Sequence, residues 1–376
     1  RAAPKRDRTG FHARELMATK RQKALRNGKK RALKGVLGAV FALFLLAFIA
    51  AGLHINRLLD SIRYDDGHSG AGSLDPDEFA DSGAESDSPQ SEIDALEQSI
   101  LHNLQKNNED IAYDKDVLNI LLIGCDARSR TGPGRSDSMI ILSINKKSHK
   151  LVMTSLMRDI YLRIPGRENN RLNAAYAFGG PQLLLKTIKE NFQIDIKKYV
   201  SVNFFSFVDI IDKLGGVTVD LSDAECRSMN GYIHEINYLE GWPVEDGKLY
   251  KGGDNIHLNG KQALAYSRVR YVGNADFQRT ERQRIVMAQV IKKLRGMSVA
   301  ELYGILEELL PKVTTNLTKG ELFSLLLSAP AVKNYTILEN RIPANGTFKY
   351  MTIRKMSVLG IDFEKNAELI RSGIYG

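Results

Sequence analysis

The chain has 376 residues, 43% of them hydrophobic and 26% charged, with a formal net charge of +9. That composition excludes a wholly disordered, collagen-like or disulfide-stapled protein, and its two cysteines, Cys125 and Cys226, stand in no Cys-x-x-Cys zinc spacing. The basic balance is local: residues 1–34 hold 13 Lys+Arg against 2 Asp+Glu, which leaves −2 for residues 35–376 and no reason to expect a nucleic-acid partner.

Gly35–Leu53 is an uncharged apolar run, GVLGAVFALFLLAFIAAGL. As a helix it would reach roughly 28 Å, about one hydrocarbon core, so residues 35–54 are expected to cross a membrane once. Lys29, Lys30, Arg31 and Lys34 precede the run, and Asp60, Asp65 and Asp66 follow it. The positive-inside bias then leaves the tail, 1–34, in the cytoplasm in contact with membrane lipid, and everything after residue 54 outside the cell. Residues 55–112 are acidic and rich in Ser and Gly, with no Lys or Arg between Arg63 and Lys106. Such a segment reads as a self-repelling linker. Within it Glu92–Leu104 carries a helical apolar period and is expected as a short stalk helix.

Residues 113–376 are expected to form one extracellular domain. VLNILLIG, SMIILSIN and KLVMTSLM read as strands, the last two joined by a KKSH hairpin turn. A helix is expected to open at Gly179-Gly180-Pro181. A second covers Phe204–Leu214 and stops at Gly215-Gly216. Val217, Val219 and Leu221 alternate as a strand, and Leu258–Ser267 is a short helix or turn. Phe277–Leu294 is a long helix with Met287, Val290, Ile291 and Leu294 as its core stripe. Strands interleaved with helices indicate an α/β (α+β) fold, and the hairpin makes the central sheet mixed.

No metalloprotease, nucleophile-elbow or phosphate-loop signature is present; His234-Glu235 lacks its second histidine, since position 238 is Tyr. What remains are Asp and Arg residues at strand ends. Asp126 follows the first strand, Arg135 and Asp137 precede the second, and Arg158-Asp159 follows the third. If the first two strands are neighbours, Asp126 and Asp137 share one sheet end, and two carboxylates with open positions suit Mg²⁺ or Mn²⁺. Arg268 and Arg270 alternate and would point the same way in an extended segment. Arg279, Arg282 and Arg284 crowd the first turns of a helix that Asp276 opens, the wrong end for cations unless an anion binds there. Arg279 and Gln283 share a face of that helix. The arginines suit forked contact with phosphate oxygens.

The stretches GCDARSRTGPGRSDSMIILSIN, SLMRDIYLRIPG, RLNAAYAFGGPQLLLKTIKENFQI, FVDIIDKLGGVTVDL, LNGKQALAYSRVRY and DFQRTERQR, in that order, resemble the LytR–CpsA–Psr family of bacterial cell-wall proteins. The resemblance implies a Mg²⁺-assisted ligase that moves an anionic glycopolymer, such as teichoic acid or capsule, from a polyprenyl-pyrophosphate carrier to a sugar hydroxyl of peptidoglycan. It implies that Asp126 and Asp137 hold the metal. Arg135, Arg158, Arg268, Arg270, Arg279 and Gln283 would then grip the pyrophosphate, and Asp276 would brace the arginines. The prenyl chain would lie between sheet and helices. Asp126 or Asp159 is the candidate base for the acceptor hydroxyl. One departure is Met157, where the family usually has proline before the Arg-Asp pair. Cys125 reads as a packed residue, with no base near it in sequence. Two other readings stay open: hydrolysis of the same lipid, and a non-catalytic regulatory lipid-binding protein.

Overall fold

The computed structural model describes residues 63–64, 81, 86–106, 111–126, 135–270, 272–273, 275–297, 301, 304–305 and 308–376. The basic tail, the expected membrane span and most of the linker lie outside these. Among the described residues no helix is long and apolar enough to cross a membrane.

The elements in chain order are β1 (Arg63–Tyr64), α1 (Gln90–Lys106), β2 (Val117–Asp126), β3 (Arg135–Asn145), β4 (Lys150–Leu156), β5 (Tyr161–Leu162), β6 (Asn170–Arg171), α2 (Leu172–Phe192), β7 (Lys198–Asn203), α3 (Phe204–Lys213), β8 (Val217–Leu221), α4 (Asp223–Glu240), β9 (Gly253–Leu258), α5 (Gly260–Arg268), α6 (Ala275–Gly296), β10 (Thr314–Thr315), α7 (Lys319–Val332), β11 (Thr336–Ile342), β12 (Phe348–Ile353), β13 (Met356–Ile361) and α8 (Phe363–Tyr375). Seven strands form a mixed central sheet in the order β1-β10-β7-β2-β3-β4-β11. Its middle is the antiparallel meander β2-β3-β4, with β7 parallel to β2 and β11 parallel to β4. This is the expected mixed sheet flanked by helices.

The β3–β4 turn is the expected hairpin. Asn145 Oδ1 accepts from the Lys147 and Ser148 N–H groups (3.0 and 2.9 Å), and His149 takes a left-handed φ of 54°. Helix α3 starts where Asn203 Oδ1 caps Ser206 N–H (2.8 Å) and ends at Gly215-Gly216. At Gly216 the φ is +73°, and a Cβ would stand 2.5 Å from the Leu258 carbonyl oxygen, so only glycine lets β9 approach.

The sheet uses its faces differently. Leu121, Ile123, Cys125, Met139, Ile141 and Tyr199 point into the main core, against α1, α2, α8 and the β12–β13 hairpin. The opposite face carries Leu122, Ile140, Val200 and Val202, beneath α3, α5 and α6.

Three expectations change. The first concerns α1, which is no stalk: Ile93, Leu96 and Ile100 are buried in the main core. The second concerns α2: a helix does open at Pro181 as expected, but another, not expected, runs into it from Leu172. Gly179 and Gly180 break α2 with non-helical angles, and Pro181 opens its second half. The Gly-Gly-Pro signal marks a kink, and the first half was too short to show a 3.6-residue period. The third concerns the α6 stripe: Met287, Val290 and Ile291 pack against core residues as expected, but Met287, Val290 and Leu294 also line a cavity.

Candidate active site

Between the sheet and α3, α5 and α6 lies a cavity of about 670 Å³. Most of its wall is apolar: Leu122, Ile140, Val200, Val202, Phe207, Ile210, Val286, Met287, Val290 and Leu294. At one end the wall changes to Asp126, Asp137, Arg158, Arg268, Arg270, Arg279 and Gln283. The shape and chemistry are those of a container for an amphiphile with an anionic head.

The charged end is assembled from four places. Asp126 closes β2 opposite Arg135. The β2–β3 register slips between Gly124, which faces Ser138, and Cys125, which faces Ser136, so Asp137 is the extra residue of a β-bulge. A bulge re-aims a side chain, and this one brings Asp137 to the cavity beside Asp126. Arg158 follows β4 and donates from Nη1 to Asp137 Oδ1 at 2.6 Å. Arg270 grips Asp276 with two bonds, Nε to Oδ1 at 2.9 Å and Nη2 to Oδ2 at 3.0 Å. Arg279 Nη1 approaches the same carboxylate at 3.3 Å.

Arg268 is held differently. It pairs with Glu235 at 2.9 Å, and its guanidinium lies 4.6 Å from the Phe204 ring centroid and 4.8 Å from that of Tyr232. Two aromatic faces fix the plane of the cation. Arg268 closes α5, and Val269 turns the chain with φ −56° and ψ 121°. The expected extended Arg-x-Arg segment is therefore a helix end followed by a turn, yet both arginines reach the cavity.

Electrostatics follow from this crowding. Burial alone would push the Asp137 carboxyl up, but the charges of Arg158 and Arg279 outweigh it and hold it below its ordinary range. Asp276 is likewise depressed: Arg279 and Arg270 overcome its burial. Asp159 goes the other way. Its burial, with Asp276 adding to it, outweighs the attraction of Arg158 and raises its carboxyl. Arg279, 3% exposed, is lowered by burial and by the neighbouring Arg158 charge, though a guanidinium stays protonated. Among the described residues, three buried guanidinium nitrogens at the cavity, Arg158 Nε, Arg268 Nη1 and Arg279 Nε, make no hydrogen bond, although Arg158 Nε has the Asp159 carboxylate 3.4 Å away. Buried donors without acceptors are costly, and phosphate oxygens would satisfy them.

The structure brings Asp126, Asp137, Arg158, Arg268, Arg270, Arg279 and Gln283 to the cavity. Three expected residues do not line it. Arg135 pairs with Asp126 at the end of the ladder and so shares its face of the sheet, but it is not part of the cavity wall. Asp159 lies behind Arg158, 3.4 Å from its Nε, and Asp276 lies behind Arg270 and Arg279, paired with both. Met157, where the resemblance led to an expectation of proline, donates its N–H to the Ile342 carbonyl at 2.9 Å, a bond proline could not make. Asp126 and Asp137 offer oxygen donors at one sheet end, a set that fits Mg²⁺ or Mn²⁺. Among the described residues no group of three or more His, Cys, Asp or Glu is gathered for a metal. Such an ion would take its other ligands from phosphate and water.

A family model described as the LytR_cpsA_psr family matches residues 83–369. The chain belongs to this family. It is 37% identical over 244 residues, 62% of this chain and 70% of the relative, to a protein of Oceanobacillus iheyensis named polyisoprenyl-teichoic acid–peptidoglycan teichoic acid transferase TagU. A Bacillus cereus protein of the same name is 35% identical over 250 residues, 64% of this chain and 74% of the relative. Among solved structures, TagT bound to LIIa-WTA is 25% identical, with a TM-score of 0.54, covering 70% of this chain and 92% of that one.

Sequence reasoning missed the residues that support this family member's arginines. Arg282, 4% exposed, pairs with Glu225 at 2.9 Å and donates to the Val269 and Val272 carbonyls at 3.0 and 3.2 Å. It thereby staples the loop between Arg268 and Asp276. Ser222 and Glu225 carry the legible Ser-x-x-Glu signature of a helix cap, which explains Glu225 without revealing its second partner. Nothing local marks Phe204, Tyr232 or Glu235 as the cradle of Arg268.

Proposed function

We propose that this protein transfers an anionic glycopolymer from a polyprenyl-pyrophosphate carrier to a sugar hydroxyl of peptidoglycan. The observation that carries this reading is the set of guanidinium donors on Arg158, Arg268 and Arg279 that make no hydrogen bond among the described residues, at the charged end of an otherwise apolar cavity. The diphosphate sits among the arginines and Gln283, and the prenyl chain lies along α6. The transferase names of the relatives support the reaction class, and the wall-polymer ligand of the TagT structure supports the donor.

The acceptor oxygen attacks the phosphorus that bears the polymer. Its P–O bond to the second phosphate breaks, polyprenyl monophosphate leaves with the electron pair, and a phosphodiester joins polymer to wall. The acceptor proton passes to a carboxylate, for which Asp126 at the cavity wall is placed better than Asp159 behind Arg158. Negative charge that shifts to the leaving phosphate meets guanidiniums already oriented by Asp276, Glu235 and two aromatic rings. Mg²⁺ held by Asp126 and Asp137 would neutralise phosphate oxygens. The membrane span at 35–54, with the tail inside and the domain outside, would keep the cavity near its lipid donor.

The test is transfer of a labelled lipid-linked polymer onto purified peptidoglycan by the full chain, with and without Mg²⁺. Wall-bound label that depends on the cavity arginines is expected. Release of free polymer alone would favour a hydrolase.

A further inference from the structure

The acidic linker is not all free tether. Asp81 donates its N–H to the Lys355 carbonyl at 2.9 Å, and its Oδ2 accepts from Ser357 N–H at 2.9 Å. Asp87 binds the same hairpin: its carboxylate accepts the Arg354 and Lys355 N–H groups at 3.0 and 2.9 Å. Those two residues form the β12–β13 turn, with φ of 50° and 56°.

Only Asp81 of this pair also reaches inward. Its carboxylate accepts from Arg171 Nη1 at 3.1 and 3.2 Å. The same Nη1 lies 3.7 Å from Asp159 Oδ1. Asp159 Oδ2 is 3.4 Å from Arg158 Nε, and Arg158 Nη1 donates to Asp137 Oδ1. Charges therefore alternate from the linker to the cavity wall: Asp81, Arg171, Asp159, Arg158, Asp137. The Arg171 side chain is 8% exposed and that of Asp159 is 12% exposed, so water screens their contact little.

In such a chain each inner ion, Arg171, Asp159 and Arg158, stands between two opposite charges. With Asp81 present, Arg171 divides its attraction and leaves Asp159 available to Arg158. With the Asp81 charge removed, Arg171 draws Asp159 to itself and Arg158 loses the carboxylate that fixes its Nε edge. We propose that Asp81 is a positioning residue for Arg158, acting through Arg171 and Asp159, so that docking of the membrane-proximal segment is read at the diphosphate end of the cavity. This rests on the reading that the cavity takes a lipid diphosphate.

The test compares Asp81→Asn with Asp87→Asn in the full chain. Affinities are measured for geranylgeranyl pyrophosphate and for geranylgeraniol, which lacks the charged head. Asp81→Asn is expected to lower the diphosphate-to-alcohol affinity ratio about fivefold, the scale of one partly screened ion pair. Asp87→Asn, which loosens the same hairpin without touching Arg171, is expected to leave the ratio at its wild-type value. An unchanged ratio in Asp81→Asn, or an equal fall in Asp87→Asn, overturns the role of Asp81 while the cavity reading stands. A wild-type protein that binds the two probes equally overturns the cavity reading and this proposal with it.

Discussion

Arg279 and Leu294 lie on one face of α6, one at the charged end of the cavity and the other among its apolar walls. With a rise of 1.5 Å per residue they stand roughly 22 Å apart along the axis. Gln283, Val286, Met287 and Val290 fill the face between them. A single helix thus changes from ionic to apolar along its length, matching a molecule with a charged head and a long hydrocarbon tail.

Filling that face should stop transfer without harming the fold. Val290→Trp places a large ring at a position that packs on a core cluster on one side and borders the cavity on the other, so the added volume can enter open space and the overpacking cost is reduced. The expected outcome is a thermal midpoint equal to or above wild type, with lipid-linked transfer down at least about tenfold, the scale of a misplaced substrate. Calorimetry and the transfer assay check the two halves. A large loss of stability would show that Val290 belongs to a packed core.

Removing Asp276 should be costly and should change the acid limb of stability. Asp276→Asn leaves Arg270 and Arg279 without their shared carboxylate, a loss of about 3 kcal/mol at neutral pH by analogy with broken buried pairs. The folded-state values of Asp276 and Asp137 are both depressed. Their contribution is therefore complete above the unfolded carboxyl value of about 4 and is lost as pH falls through the lower folded values. Urea midpoints between pH 7 and pH 2 should fall less steeply in Asp276→Asn than in wild type.

Arg282→Lys should weaken the site through its loop. Lysine cannot reach Glu225 and both the Val269 and Val272 carbonyls together. Transfer is expected to fall about tenfold. A spectrum of unchanged helix content with that loss would place the effect in the loop carrying Arg268 and Arg270.

Cys125→Ala should remain active. The thiol faces the main core, 3.1 Å from Ser201 Oγ, and burial pushes its pKa up. A stability loss of about 1 kcal/mol, retained transfer and no reaction with iodoacetamide in the native state are expected. Loss of transfer at full stability would contradict the reading of Cys125 as a packed residue.

The strands β2, β3 and β4 were legible because each is an unbroken apolar run between polar turns, and the arginines because they sit at the wrong end of a helix. Other features were not. Met287, Val290 and Leu294 repeat with the same period whether a helix packs on a core or borders a cavity. Asp126 and Asp159 both follow a strand, and only the fold shows one at the wall and the other behind Arg158. The bulge at Asp137 depends on pairing with another strand, which no local pattern records. Nor does TILENRI in β11 alternate strongly enough to announce the strand that pairs with β4. In the linker, Asp81 looked like one more solvated acid, because its partner Arg171 lies 90 positions away.

The central claim is that the cavity guanidiniums of Arg158, Arg268 and Arg279 bind a diphosphate joined to a prenyl chain. The most direct measurement is calorimetric titration of the full chain with geranylgeranyl pyrophosphate, for wild type and for Arg279→Ala. Wild type should bind the diphosphate at least about a hundredfold more tightly than geranylgeraniol, as two charge-assisted contacts imply, and Arg279→Ala should remove most of that difference. Equal affinity for lipid alcohol and lipid diphosphate in the wild-type protein would contradict the account.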